Sequence, residues 1–533
     1  MPSLSKEQVN PRIRVPDWLF LAALCAFLFL WRLASFGLIG ADEPRYAQVA
    51  REMLASGDWV TPKLGGTAWL EKPPLYYWQA LLCYRAFGVT DWAARLPAVA
   101  DATILIFAVY YFMRRFQPRA ALSCALLLSS TAAMVAYARA ASTDMPLTAA
   151  FTLAMLAWYS WFKTSNPSLL VGFYVFLALA MLAKGPVAPL LAFIITELFL
   201  LLEHNHKMVR DSLSLSGMLV FLLVAMPWYV LVQLRNHQFF RVFVLEHNLA
   251  RFASNMFHHP QPLWYYLPVT IVGWIPCSIF VLVALGWQIR QSKRATREGE
   301  LDRFLLLWIL VVVVFFSFSR SKLPGYILPA IPPGILIIAR YMEDRALQDA
   351  GAALIVLQGL LTTVLVLAAL LLPYLLRGHQ FPGGTGLVLP LVLAILAGAL
   401  VGALFLRLGF EAVKVVTVLP AILTVAITLR FAAPVIEETL SARPVANSLA
   451  RLAPSNLPVA VVRVPREIEF GLEFYRNQTL SRYELGQVPA GEHLVVAREG
   501  LPDGLSPNVG GRRVLHLGSF PAQKLQFFYV AAR

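Results

Sequence analysis

Apolar positions in this chain come in long blocks instead of recurring every second or third residue. A helix crossing a bilayer core of about 30 Å needs about 20 apolar residues. Blocks of that order run at 18–38, 96–113, 120–137, 145–162, 168–184, 186–202, 213–234, 263–287, 304–319, 325–339, 351–376, 386–406 and 412–430. They predict about thirteen membrane-spanning helices, with Lys184-Gly185-Pro186 breaking the apolar stretch 168–202. The run from Pro74 to Phe87 is apolar but too short to span, and is read as a helix lying along the membrane surface. From Pro434 onward the pattern changes. Short runs at Val459–Val464, His493–Ala497, Arg513–Leu517 and Leu525–Val530 read as strands, and Glu467–Arg476 has helical spacing. The expected organisation is a membrane domain over 1–433, with a large first loop at 40–95, and a small α/β domain over 434–533. No internal repeat is visible.

Composition narrows this further. Hydrophobic residues make up 58% of the 533 positions and charged residues 14%, with mean hydropathy +0.64. Soluble domains are about 25% charged, so a soluble, disordered or collagen-like protein is excluded. Net charge is +15, which in a soluble chain would raise nucleic acid as a partner. Here the basic residues sit in short gaps between apolar blocks: Arg114, Arg115 and Arg119; Lys207 and Arg210; Arg290, Lys293, Arg294 and Arg297; Arg340 and Arg345. That bias reads as topology and lipid headgroups, not nucleic acid. With the amino terminus inside, the gaps at 40–95, 235–262 and 320–324 and everything after about 433 fall outside. The first apolar block lacks an obvious cleavage site and is read as an uncleaved span. Four scattered cysteines give neither a zinc spacing nor a disulfide framework.

The unusual polar clusters gather on the outer face. The first loop begins Gly40-Ala41-Asp42-Glu43-Pro44-Arg45-Tyr46 and later reads Leu70-Glu71-Lys72-Pro73-Pro74. Asp144 follows Thr143 at the start of another block, and Lys184 ends one. Glu246-His247, Arg251 and His258-His259 share a later outside loop, and Ser319-Arg320-Ser321-Lys322-Leu323-Pro324-Gly325-Tyr326 forms a third. Carboxylates at span ends can sit in partly dry surroundings where their acidity is tunable. Charges at that depth point to function. The plainer alternative is that Asp42 caps the helix started by Pro44. One histidine beside scattered carboxylates is thin for zinc, which takes three or four ligands, so a hydrogen-bonding His247 weighs more than a ligand. Tyr76-Tyr77-Trp78 and Trp264-Tyr265-Tyr266 read as interfacial belts.

The runs Asp42-Glu43-Pro-Arg-Tyr-Ala, Leu70-Glu71-Lys72-Pro-Pro-Leu, Thr143-Asp144-Met-Pro and Lys322-Leu-Pro-Gly-Tyr326 occur in an order that resembles the bacterial aminoarabinose lipid A transferases. More broadly, they resemble the GT-C glycosyltransferases that include the protein O-mannosyltransferases. The resemblance covers residues 1 to about 430. It implies a polytopic α-helical GT-C membrane enzyme in the bacterial inner membrane with its active site facing the periplasm. Such an enzyme moves a sugar from a polyprenyl-phosphate carrier to lipid A or another outer-leaflet glycolipid. It further implies Asp42, with Glu43 and Asp144, as catalytic carboxylates near the sugar. Lys72, Arg251, Tyr326 and Lys322 would be the ligands of the carrier phosphate, and Glu71 with His247 a candidate divalent-metal position.

The chemistry is coherent with those residue types. Lys and Arg neutralise the charge that develops on a departing phosphate, and a tyrosine hydroxyl adds a neutral donor. A carboxylate opposite either takes the proton of an acceptor hydroxyl or, with a phosphate acceptor that is already ionised, orients and stabilises. Both roles stay open for Asp42. Within the same fold the competing activity is a protein O-glycosyltransferase or another cell-envelope polysaccharide enzyme. From a different class, a lipid-linked sugar transporter or flippase would call for paired mid-span charges and inverted repeats, which the sequence does not display.

Overall fold

The computed structural model describes residues 15–250, 261–292, 297–346, 352–377, 398, 410–453, 457–500 and 511–532. The expected span at 386–406, Arg251, His258-His259, Lys293 and Arg294 lie essentially outside the described residues.

Twelve of the thirteen apolar blocks fall on described helical elements, the exception being 386–406. Seven described helices are long and apolar enough to cross a membrane: Asp91–Phe116, Pro167–Lys184, His206–Arg235, Gly299–Phe318, Pro324–Asp344, Val356–Leu376 and Lys414–Leu440. A helix over Asp144–Thr164 packs among them, and Pro16–Leu30, Val187–Leu202 and Leu263–Gly273 are shorter apolar helices. The protein is therefore a polytopic helical membrane protein. Local signals place the helix ends. Thr90 caps Asp91–Phe116 by accepting from Ala93 N, and Arg114 and Arg115 face the negative end of its dipole.

One expected straight span is bent. The block at 120–137 forms two helices, Ala121–Ser129 and Ala132–Ala138, at 61° to each other. Ser129-Ser130-Thr131 makes this tolerable inside an apolar bundle. The Ser130 hydroxyl donates to Leu126 O and the Thr131 hydroxyl to Leu128 O, while Thr131 Oγ1 accepts from Met134 N. Backbone groups freed by the break thus find partners.

The first loop has a core of its own. Helix Asp42–Ser56, a two-strand hairpin (β1 Lys63–Leu64, β2 Thr67–Ala68) and helix Leu75–Phe87 enclose Tyr46, Val49, Met53, Tyr76, Tyr77 and Tyr84. The apolar run after Pro74 is thus a helix with one face in this core, leaving Leu82 and Phe87 exposed on the other.

The last described span continues without interruption to Leu440 and leads into a sheet domain. Its strands are β3 (Val459–Val462), β4 (Ser481–Arg482), β5 (His493–Arg498), β6 (Val514–Phe520) and β7 (Leu525–Val530), ordered β4-β3-β5-β7-β6. β3 is parallel to β4 and β5, and β7 is antiparallel to β5 and β6. Helices Arg443–Leu452 and Arg466–Arg476 pack Val445, Leu449, Ile468 and Leu472 against Val461, Val496 and Phe527. The domain docks on the first loop. Arg51 donates to Phe474 O (2.7 Å), Tyr475 Oη accepts from Leu38 N (2.7 Å), and Glu437 accepts from Gly37 N (2.6 Å).

Candidate active site

The ends of several helices come together near that docked domain. Asp42 is the first residue of helix Asp42–Ser56, and its side chain is 55% exposed and paired with Arg45. Arg45 is held by the rings of Trp69 (5.0 Å), Tyr46 (5.3 Å) and Phe470 (5.6 Å), a cation–π cage that fixes its guanidinium. Burial works against the charge of Arg45, but Tyr46, Asp42 and Glu71 together hold its pKa above the usual arginine value. Tyr46 senses two carboxylates. Burial first, then Asp42 and more weakly Asp144, push its phenol well above the ordinary range. Asp42 and Asp144 therefore share one neighbourhood.

Asp144 begins helix Asp144–Thr164 and forms an ion pair with Lys184, the last residue of helix Pro167–Lys184. Gly185 follows at φ +101°, a conformation that suits glycine, and ends the helix so that Lys184 faces inward. The Lys184 ammonium also stands 4.8 Å from the centre of the Tyr326 ring. Gly325 is required by this arrangement, since a Cβ there would stand 2.6 Å from Asp144 Oδ1.

Lys184 and Tyr326 line a cavity of about 540 Å³ whose walls are of two kinds. Lys72, Lys184, His247, Asn248, Ser319 and Tyr326 make its polar part, and Leu147, Pro186, Val187, Leu190, Leu249, Phe315 and Phe316 the apolar part. A lining that combines ammonium groups with apolar side chains within a membrane bundle suits an amphiphile with an anionic head and a hydrocarbon tail.

The expected site residues do not all share this place. Lys72, Tyr326 and His247 line the cavity; Asp144 joins them through its pair with Lys184 and Glu71 through His247 (Oε1 to Nε2 3.7 Å), whereas Asp42 is absent from the lining and stands with Arg45. Glu43 is engaged elsewhere and does not line the cavity. Its carboxylate is buried and fully engaged by Arg95 (Oε1 to Nε 3.0 Å, Oε2 to Nη2 2.7 Å), Ile39 N (2.8 Å) and Ala141 N (2.7 Å). It is a clamp between the first loop and the bundle. Lys322 is also turned away, buried and donating to the carbonyls of Ser319 and Gln261, and it does not line the cavity. Among the described residues no three His, Cys, Asp or Glu side chains gather to hold a metal. Glu71 and His247 are too few donors for a protein cage.

Two contributors escaped the sequence reading. Lys184 stood out as a break between spans and as one of the outer-face polar residues, but was given no role, although a lysine ahead of Gly-Pro at a helix end signals a cation held at a fixed height. Arg45 carried no sequence signal beyond its place three residues after Asp42.

A family model described as dolichyl-phosphate-mannose-protein mannosyltransferase matches residues 71–231. An undecaprenyl phosphate-α-4-amino-4-deoxy-L-arabinose arabinosyl transferase of Edwardsiella ictaluri is 31% identical over 414 residues, 74% of this chain and 72% of that protein. Transferases of the same description from Pseudomonas aeruginosa and Pseudomonas paraeruginosa are 32% and 33% identical, over 62% and 67% of this chain. The matched region spans 60% and 65% of those two relatives, less than two thirds of their length. The crystal structure of ArnT from Cupriavidus metallidurans bound to undecaprenyl phosphate superposes with TM-score 0.79 at 22% identity, covering 97% of this chain and 98% of that one. An Archaeoglobus fulgidus oligosaccharyltransferase superposes at 0.51 with 11% identity, over 90% of this chain and 68% of that one. Both likenesses are of fold.

Proposed function

The chain belongs to the family of undecaprenyl phosphate-α-4-amino-4-deoxy-L-arabinose arabinosyl transferases, and from that premise we propose that it moves a sugar from an undecaprenyl-phosphate carrier to lipid A or a related glycolipid, at the periplasmic face of a bacterial inner membrane. The observation that carries this reading is the mixed lining of the cavity, with the cations Lys72 and Lys184 and apolar side chains such as Phe315 and Phe316 on its walls.

In this mechanism the carrier phosphate sits against Lys72, Lys184 and the Tyr326 hydroxyl, with the prenyl chain among the apolar lining. The bond between the sugar's anomeric carbon and the carrier phosphate oxygen breaks, and the acceptor oxygen bonds to that carbon. The departing phosphate keeps the electron pair, and the two ammonium groups stabilise it without a proton transfer. Asp144 orients Lys184, so its role is to position that cation. Asp42 faces the sugar side. An acceptor hydroxyl would give its proton to Asp42, whereas an acceptor phosphate arrives ionised and leaves Asp42 to stabilise positive charge developing at the anomeric carbon.

The test is mass spectrometry of lipid A from cells with and without the gene. An added pentosamine that disappears with the gene supports the reading. Unchanged lipid A, together with loss of sugar from an envelope protein or polysaccharide, would move the acceptor to another class.

A further inference from the structure

A second cavity, of about 550 Å³, lies between the second half of the bent helix pair, helix Ala352–Leu376 and the last span. Its lining is mainly aliphatic, with Val135, Ala136, Leu365, Val425 and Leu429 on its walls. Its lining also carries cations. Arg139 lines it, 9% exposed, and donates to the carbonyls of Leu28 (3.1 Å), Phe29 (3.2 Å) and Arg32 (3.3 Å). Among the described residues no carboxylate meets Arg139. Glu43 is on the same wall, but both its oxygens belong to Arg95 and to backbone N–H groups. Two guanidiniums and one carboxylate leave one positive charge in excess. Burial first, and then Arg95, lower the Arg139 guanidinium to about 10, so it remains charged at neutral pH. The buried Thr424 hydroxyl, also on the lining, has no partner among the described residues.

A buried cation that meets only carbonyls is costly, and an anion beside it removes much of that cost. We propose that this second cavity is a binding site for an anionic membrane phospholipid, its phosphate on Arg139, its glycerol backbone toward Thr424 and an acyl chain among the aliphatic side chains. The occupant is a resident lipid and not a reactant. None of Lys72, Lys184 and Tyr326 is on its lining. The lipid backs the wall that holds Glu43, and Glu43 fixes the start of the helix carrying Asp42. This site does not depend on the transferase assignment.

The test uses the full chain, purified, delipidated and examined by native mass spectrometry and thermal unfolding with phosphatidylglycerol, phosphatidylcholine, inorganic phosphate or lipid A added. Wild type should retain phosphatidylglycerol in preference to phosphatidylcholine and be stabilised by it. Arg139→Gln should weaken that binding about 10- to 100-fold, the scale of one charge-assisted hydrogen bond. Ala136→Leu, which narrows the apolar part and keeps the guanidinium, should lower retention as well, and Lys72→Ala should not. Equal retention by wild type, Arg139→Gln and Ala136→Leu would overturn the proposal. So would equal stabilisation by inorganic phosphate alone, or displacement of the bound lipid by lipid A.

Discussion

Replacing Glu43 with glutamine separates structural from chemical roles in the dipeptide Asp42-Glu43. The Glu43 carboxylate accepts four hydrogen bonds, two from Arg95 and one each from Ile39 N and Ala141 N. Arg95 is 1% exposed and also donates to the carbonyls of Leu33, Phe36 and Gly37. In Glu43→Gln one oxygen still accepts, but the new amide N–H₂ meets either Arg95 Nη2 and Ile39 N or Arg95 Nε and Ala141 N, donor against donor. The guanidinium then lacks a counter-charge in a buried place. Breaking one side of such a pair costs about 3–5 kcal/mol. The variant should unfold several degrees below wild type. A thiol-reactive fluorophore can read this, because Cys25, Cys124 and Cys277 are buried in the fold. Transfer per folded molecule should stay within a few-fold of wild type at temperatures where the variant is intact. A wild-type unfolding midpoint combined with a loss of activity of about 100-fold would refute the clamp and return Glu43 to the catalytic set.

Asp42→Asn should do the opposite, leaving the unfolding midpoint unchanged because the side chain is more than half exposed, while transfer falls by at least about 100-fold; full activity would remove Asp42 from the catalytic set and leave it only as the partner of Arg45, since Ala41 and not Asp42 is the N-cap of its helix. Lys322→Met should keep undecaprenyl-phosphate affinity near wild type and loosen the 319–323 turn to limited proteolysis, and a large loss of affinity would place this ammonium back at the phosphate. Glu473, on the helix that docks onto the first loop, is pushed from 4.5 to about 7 by burial and then by Glu469, with Glu52 adding and Arg482 opposing. A carboxyl whose folded pKa is raised stabilises the fold fully below its unfolded value, and this contribution is lost as pH rises through the folded value. Thermal stability should therefore decline between about pH 4.5 and 7 in wild type relative to Glu473→Gln, and parallel profiles for the two proteins would contradict it.

Much of this architecture is legible in residue order because a bilayer leaves few choices. Backbone groups in hydrocarbon must pair within their own segment, so long apolar blocks become helices. The strands at 459–462, 493–498, 514–520 and 525–530 likewise follow from short β-branched and aromatic runs between turns. The bend at Ser130 was hidden because hydroxyl side chains that satisfy a broken helix look, in sequence, like any small residues in a span. The site was legible as a set of outer-face polar residues but not as a division of labour. Asp42 and Glu43 are adjacent, yet one is exposed beside Arg45 and the other is locked to Arg95, which lies 52 residues along the chain. Lys72 and Lys322 are both loop lysines followed by proline within two residues, and only the three-dimensional path shows that the second faces carbonyls. Such partners are set by packing between distant segments, which local pattern does not encode.

The central claim is that Lys72, Lys184 and Tyr326 hold the carrier by its phosphate while the prenyl chain lies among the apolar lining. The measurement that tests it most directly compares binding of undecaprenyl phosphate with binding of undecaprenol, which has the same chain without the phosphate, to the purified full chain. Wild type should favour the phosphate strongly, and Lys72→Ala should lose about 2–4 kcal/mol of that preference, roughly 30- to 1000-fold, while its affinity for undecaprenol stays unchanged. Equal affinity of wild type for the two lipids, or an undiminished preference in Lys72→Ala, would contradict the account.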